Sequence, residues 1–350
     1  VIEVNKVSRW LPAAIPAAVI AAAALGVPAF GSAAGARLPE KSADEVLALI
    51  AGSSATRFSG TVEQSSDLGL PELPKSARGY SSGADSTSAV LELLTADHTA
   101  QVFVDGAERE RVQVLDDLAE RDLYRNGSDV WIYDSKQRAA HHVVLPEGSG
   151  AAPQLSATPA ELAEKLLAAV DPTTEVDVAT GSVAGRPVYE LVLTPKSDDT
   201  LVGSVTVSVD SDTGLPLEVA VTARGQSTDA VRVGFTSIDF SAPPADTFTF
   251  TPSADTRVTE EELPSGPPEG YAAPDLPSPT VTGAGWDTVV ALPVDVLGSA
   301  GSSSALLAQL TTPVAEGRAL QTSLVSVLFT ADGRLLAGAV PVEALEAAAR

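Results

Sequence analysis

Apolar residues recur at every second position through run after run of this chain: Val205, Val207 and Val209, then Leu217, Val219 and Val221, then Val231, Val233 and Phe235. Successive side chains of an extended strand point to opposite faces, so this period-two pattern describes strands with one apolar face and one polar face. The runs are separated by residue pairs that tolerate positive φ: Asp105-Gly106, Asn126-Gly127, Asp212-Thr213-Gly214, Arg224-Gly225 and Asp332-Gly333. Such turns make hairpins, and strands joined by hairpins are antiparallel. The pattern therefore predicts an α+β fold that is mainly antiparallel sheet.

Two helix starts interrupt the strands. Ser42-Ala43-Asp44-Glu45 is a capping box, in which the Ser42 hydroxyl accepts an amide of the first turn and Glu45 reaches back, and Val46, Leu47, Leu49 and Ile50 follow it. Thr158-Pro159-Ala160-Glu161 repeats the device with proline at the first helical position, and Leu162, Leu166, Leu167 and Val170 form one stripe before Asp171-Pro172.

The first 36 residues read differently from the rest. Lys6 and Arg9 precede an Ala-rich apolar stretch from Leu11 to Val27, and Ala34-Gly35-Ala36 fits the small-residue pattern of a signal-peptidase site. Residues 1–36 are expected to be a signal peptide or a signal anchor, which places the body outside the cytoplasmic membrane. Pro264, Pro267, Pro268, Pro274, Pro277 and Pro279 leave too many amide donors missing for a strand or helix interior, so residues 263–282 are expected to be a linker. The expected division is then a body over 37–262 and a small C-terminal α+β module over 283–350. In that module Trp286 to Leu292 and Leu324 to Ala339 read as strands, while Ala305 to Leu310 and Val342 to Ala349 read as helices.

Charge and residue usage exclude several functions. Lys and Arg total 22 against 46 Asp and Glu, a net charge of −24 that repels a phosphate backbone, so no nucleic-acid partner is expected. With no cysteine there is no thiolate nucleophile and no cysteine-rich metal site. Catalytic motifs fail on context. Gly79-Tyr80-Ser81-Ser82-Gly83 matches the nucleophile-elbow pattern but lies in the Pro-, Ser- and Gly-rich stretch from Leu70 to Ser88, without the strand and helix that strain such a serine. His141 and His142 are adjacent and so point to opposite faces of a strand. Asp116-Asp117 and Glu260-Glu261-Glu262 read as solvated charge runs. Asn126-Gly127-Ser128 is formally a glycosylation sequon, but its Asn-Gly pair is the better hairpin signal. No enzyme activity, cofactor or metal is expected.

Four segments in order carry a resemblance: Phe58-Ser59-Gly60-Thr61-Val62-Glu63-Gln64, Asn126 to Tyr133 with Trp131 inside it, Leu193-Thr194-Pro195-Lys196, and Phe248-Thr249-Phe250-Thr251-Pro252. Their order and spacing, over roughly residues 40 to 262, resemble the LolA lipoprotein-carrier family and its stress-sensing relative RseB. The resemblance implies an incomplete antiparallel half-barrel with helices over its opening. It implies an apolar cavity that holds lipid or lipoprotein acyl chains without covalent chemistry, and so a carrier in the cell envelope. The alternative it implies is an RseB-like sensor that binds an anti-sigma factor or another membrane partner. The cavity candidates are Phe58, Val62, Trp131, Tyr133, Leu191, Leu193, Phe248 and Phe250. Trp131 is the one expected at the cavity wall, with Tyr133 beside it and Val130 and Ile132 on the other face.

Overall fold

The computed structural model describes residues 38–69, 97–116, 119–145, 172–262, 279–293 and 310–350. The segment expected to direct export, the second capped helix, the Leu70–Ser88 stretch with its Ser81 motif, the Asp117 half of one acidic pair, most of the linker and residues 305–309 of the expected helix lie outside these.

Eleven strands form one antiparallel run. In chain order they are β1 (Arg57–Ser66), β2 (His98–Asp105), β3 (Arg109–Asp116), β4 (Ala119–Asn126), β5 (Asp129–Asp134), β6 (Ala139–Val144), β7 (Thr174–Val183), β8 (Arg186–Pro195), β9 (Val202–Asp210), β10 (Pro216–Ala223) and β11 (Asp229–Asp239). A twelfth, β12 (Arg257–Glu262), adds in parallel to β6. The spatial order is β12-β6-β5-β4-β3-β2-β1-β11-β10-β9-β8-β7, so two meanders meet at β1, which pairs with both β2 and β11. The sheet does not close into a barrel: β12 and β7 are its two edges. It does curl, bringing β7 back toward β11. The architecture is an open half-barrel, as the resemblance implies, built of the antiparallel strands that the sequence pattern predicts.

The five hairpin signals all fall between paired strands, and Gly127 at the β4–β5 tip takes a φ of 64° that a Cβ would strain. One two-residue tip went unread: Ala184 and Gly185, between β7 and β8, both have positive φ (51° and 75°). Alanine rarely occupies that region, so composition does not flag the turn. Gly60 on β1 answers a different need. A Cβ there would meet the Phe235 ring at 2.8 Å and the Ser237 carbonyl oxygen at 2.4 Å, so only glycine lets that ring lie across the strand.

Helix α1 (Ala43–Ala51) begins as expected: the Glu45 amide donates to the Ser42 hydroxyl, and the Ser42 amide donates to the Glu45 carboxylate at 2.8 Å. Its buried side chains, Val46 and Ile50, enter a core with Tyr189, Leu191, Leu193, Val207, Val219 and Val221. Pro39, just upstream, accepts a hydrogen bond from the Tyr189 hydroxyl at 3.0 Å.

The C-terminal module is a second antiparallel sheet, ordered β13 (Thr280–Thr282), β14 (Val289–Pro293), β18 (Arg334–Gly338), β17 (Ser326–Thr330), β16 (Gly317–Gln321) and β15 (Thr312–Val314), with α2 (Val342–Ala349) against it. Leu328, Leu336, Val340 and Leu345 form its core. Two expectations are corrected here. Thr280 to Thr282, at the end of the expected linker, is a strand of this sheet. Trp286 sits in a short 3-10 turn (Gly285–Asp287), and the strand begins only at Val289. Glu260-Glu261-Glu262 belongs to β12, whose backbone groups find partners on the edge of β6, and Glu260 is exposed there, as a solvated charge run would be. The module is docked rather than tethered: Trp286, Leu324 and Ala339 enter the large sheet's core, the Trp286 indole donates to the Thr174 hydroxyl at 2.9 Å, and the Leu201 amide donates to the Ala339 carbonyl at 2.8 Å.

Candidate functional site

Strand register decides which side chains share a surface. Directly opposed residues of neighbouring strands lie on one face. The face that carries Val178, Leu191, Val207, Val219 and Val233 is the one on which α1 packs. We call it the inner face. At β1 it continues: Gln64 opposes Val233, and Val62 opposes Phe235. From there two apolar rows run on into the other meander. One passes from Gly60 through Val102, Val112, Leu123 and Ile132; the other passes from Val62 through Ala100 and Val114.

The inner face is not uniformly covered. Leu191 is 0% exposed and Val207 is 1% exposed beneath α1. Farther along, Val112 is buried, Val102, Val114 and Leu123 are half-buried and Ile132 is 42% exposed. Among the described residues, no apolar cluster includes Val112, Leu123 or Ile132. An apolar stripe across four strands, uncovered at its far end by the described residues, is chemically suited to an apolar ligand.

The opposite face of the same strands is already covered. Phe103, Arg111, Tyr124, Trp131 and His142 form its central row. The chain between β11 and β12 crosses this row, and Phe250 sets its ring 5.2 Å from Tyr124, 5.2 Å from Trp131 and 5.1 Å from Tyr133. Trp131 also stacks on the His142 ring at 4.1 Å. His142 in turn stands between two carboxylates, Glu260 at 2.7 Å and Asp129 at 3.1 Å. Its neighbour His141 lies on the inner face and is exposed, so the two histidines do point apart.

Arg111 anchors the centre of this outer row, pairing with Asp122 at 2.9 Å and lying over the Tyr124 ring at 4.6 Å. Burial drives the Asp122 carboxyl above its ordinary range, against the pull of Arg111. Burial, with the Asp122 charge beside it, pushes the Tyr124 phenol up to about 12. Both shifts have structural causes, and neither group sits where a substrate would reach it.

The eight cavity candidates fall on different surfaces and do not line one wall. Phe58 and Val62 lie on the inner face, clustered with Phe235 and Leu217, the Phe58 and Phe235 rings meeting edge-on at 6.0 Å. Leu191 and Leu193 lie on the same face but deep beneath α1. Trp131 and Tyr133 lie on the outer face with Phe250. Phe248 ends a 3-10 turn (Ala245–Phe248), is 1% exposed and has Arg109 over its ring, so it shares no strand face with Phe250. The inner-face residues that the candidate list missed are Val102, Val112, Val114 and Leu123. Val102 and Val104, and Val112 and Val114, do alternate in the sequence, but the sequence pattern alone does not say which face another segment covers.

Among the described residues, no group of histidine and carboxylate side chains could hold a metal, and no helix is long and apolar enough to cross a membrane. No protein-family model matches the chain, and no curated protein matches it. Solved structures do resemble it. The complex of MucA and MucB from Pseudomonas aeruginosa is 20% identical, with 87% of this chain and 96% of that chain covered, at a TM-score of 0.42. A MucB crystal structure is 21% identical, covering 87% and 94%, at 0.38. A LolA-superfamily protein from Nitrosomonas europaea is 11% identical, covering 60% and 99%, at 0.25. LolA is the family that the four sequence segments resemble. At these identities and scores the functional reading has to rest on this chain's own geometry.

Proposed function

We propose that this is a non-enzymatic, extracytoplasmic binding protein that lays an acyl chain of a lipid or lipoprotein along the inner face of β2 to β5, and that it acts as a carrier. What supports the reading is the apolar row Val102, Val112, Leu123 and Ile132, which runs out from a packed core on the same face, through the half-buried Leu123, to an exposed Ile132. Burying alkyl surface contributes about 0.8 kcal/mol per CH₂, so one long chain on such a row is a substantial ligand without any catalytic group. The N-terminal sequence pattern supports the location.

Ile132→Glu is the discriminating variant, because an exposed strand residue accepts a carboxylate without unfolding. The expected result is a native circular dichroism spectrum and at least a tenfold loss of affinity for a fluorescent fatty-acyl probe. Undiminished affinity in the folded variant refutes the reading. Trp131→Glu should behave oppositely, loosening the fold by breaking the Phe250 contacts. MucB is solved in complex with MucA, and a protein partner of that kind is the second reading for this chain. Native mass spectrometry separates the two: co-purified lipid on partner-free protein favours the carrier.

A further inference from the structure

The acyl-chain reading leaves open what lies at the chain's polar end, and this inference rests on that reading. The inner-face row next to the apolar one runs from Phe58 through Val104, Glu110 and Arg125 to Val130. Arg125 thus stands beside the half-buried Leu123 on the inner face, two positions along the same strand and opposite the buried Val130. With 46 acidic side chains against 22 basic ones, arginines here are readily paired. Arg57 and Arg109 share Asp105 at 2.8 and 2.6 Å, Arg111 holds Asp122, and Arg232 holds Asp229 at 2.6 Å. Arg125 differs. It is half-buried, its one contact is from Nε to its own turn carbonyl at Gly127, 3.4 Å away, and no carboxylate among the described residues pairs with it. Glu110 stands opposite it on β3 but is engaged by another group.

A guanidinium with free donors in a fixed fork, at the margin of an apolar trough, suits an oxyanion with two acceptor oxygens. We propose that the ligand is an anionic amphiphile, its alkyl chain on Leu123 and Ile132 and its carboxylate or phosphate head held by Arg125. The protein's overall negative charge does not oppose this, because a direct charge-assisted hydrogen bond acts at contact while distant surface charges are screened.

The test is competition against the fluorescent acyl probe by palmitic acid, hexadecyl phosphate and hexadecanol, which share a chain and differ in head, at mildly alkaline pH. Wild-type protein should bind one or both anions about tenfold or more tighter than the alcohol. The anion preferred tells a carboxylate source from a phosphate source. Arg125→Gln should remove the preference while leaving the alcohol's affinity unchanged, and Arg257→Gln on exposed β12 should keep it. Equal binding of all three by wild type, or a preference that survives Arg125→Gln in a folded protein, overturns the head-group assignment while alcohol binding keeps the acyl reading standing. Failure of all three to displace the probe overturns both.

Discussion

The two meanders of the sheet are built from the same alternation and end in opposite states. On β7 to β11 the inner face is filled: α1 covers it, the C-terminal module closes its strand ends with Trp286 and Leu324, and the side chains beneath are almost wholly buried. On β2 to β6 it is the outer face that is covered, by Phe248, Phe250 and the chain around them, while the inner apolar row stays partly open. Alternation sets which residues share a face. Whether that face becomes a core or a binding surface depends on what is laid over it.

The largest test of this contrast is truncation at matched inner-face positions. Leu191→Ala, within the filled half, should cost about 3 kcal/mol by leaving a cavity, whereas Ile132→Ala should cost below about 1 kcal/mol. Thermal and urea unfolding of both variants gives the comparison directly. Equal losses would mean that both halves are core and that the contrast is wrong.

The second test probes the rim of the filled half. Asp210 is fully buried on β9 and accepts from Arg186, from the Thr213 amide at 2.8 Å and from the Thr213 hydroxyl at 2.8 Å. Burial works to raise this carboxyl, but those hydrogen bonds outweigh it and hold it below the ordinary range. A carboxylate depressed in the folded state adds stability that is present above its unfolded pKa of about 3.9 and is lost as pH falls through the folded value. Asp210→Asn should therefore cost about 2 kcal/mol near neutrality. Its penalty should shrink below about pH 4, which urea melts across an acid series would detect. The smallest effect sharpens the role of the cover itself. Ser42→Ala removes the α1 cap and should cost about 1 kcal/mol, with hydrogen exchange rising in α1 and leaving β2 to β5 unchanged.

The sheet, its hairpins and α1 were legible in the sequence because each rests on a local rule: a two-residue period, a turn pair, a capping box. The site was legible only in part. Trp131 and Tyr133 share one face and Ile132 the other, as the two-residue period says. What the period does not say is that Phe250 reaches the outer face from more than a hundred residues away in the chain. No periodicity within β5 carries that information. β12 was missed for a related reason: Arg257 to Glu262 has no strand-like alternation of its own and is held by the free edge of β6 and by the Glu260–His142 contact.

The binding mode to be tested is an acyl chain on the inner face of β2 to β5. A fatty acid carrying a diazirine on its chain, photolysed with the protein and mapped by peptide mass spectrometry, tests it at single-strand resolution. The expected labels fall on Leu123 and Ile132 and are competed away by unlabelled fatty acid. Specific labelling at Trp131, Tyr133 or Phe250, or none that competes, would contradict the claim.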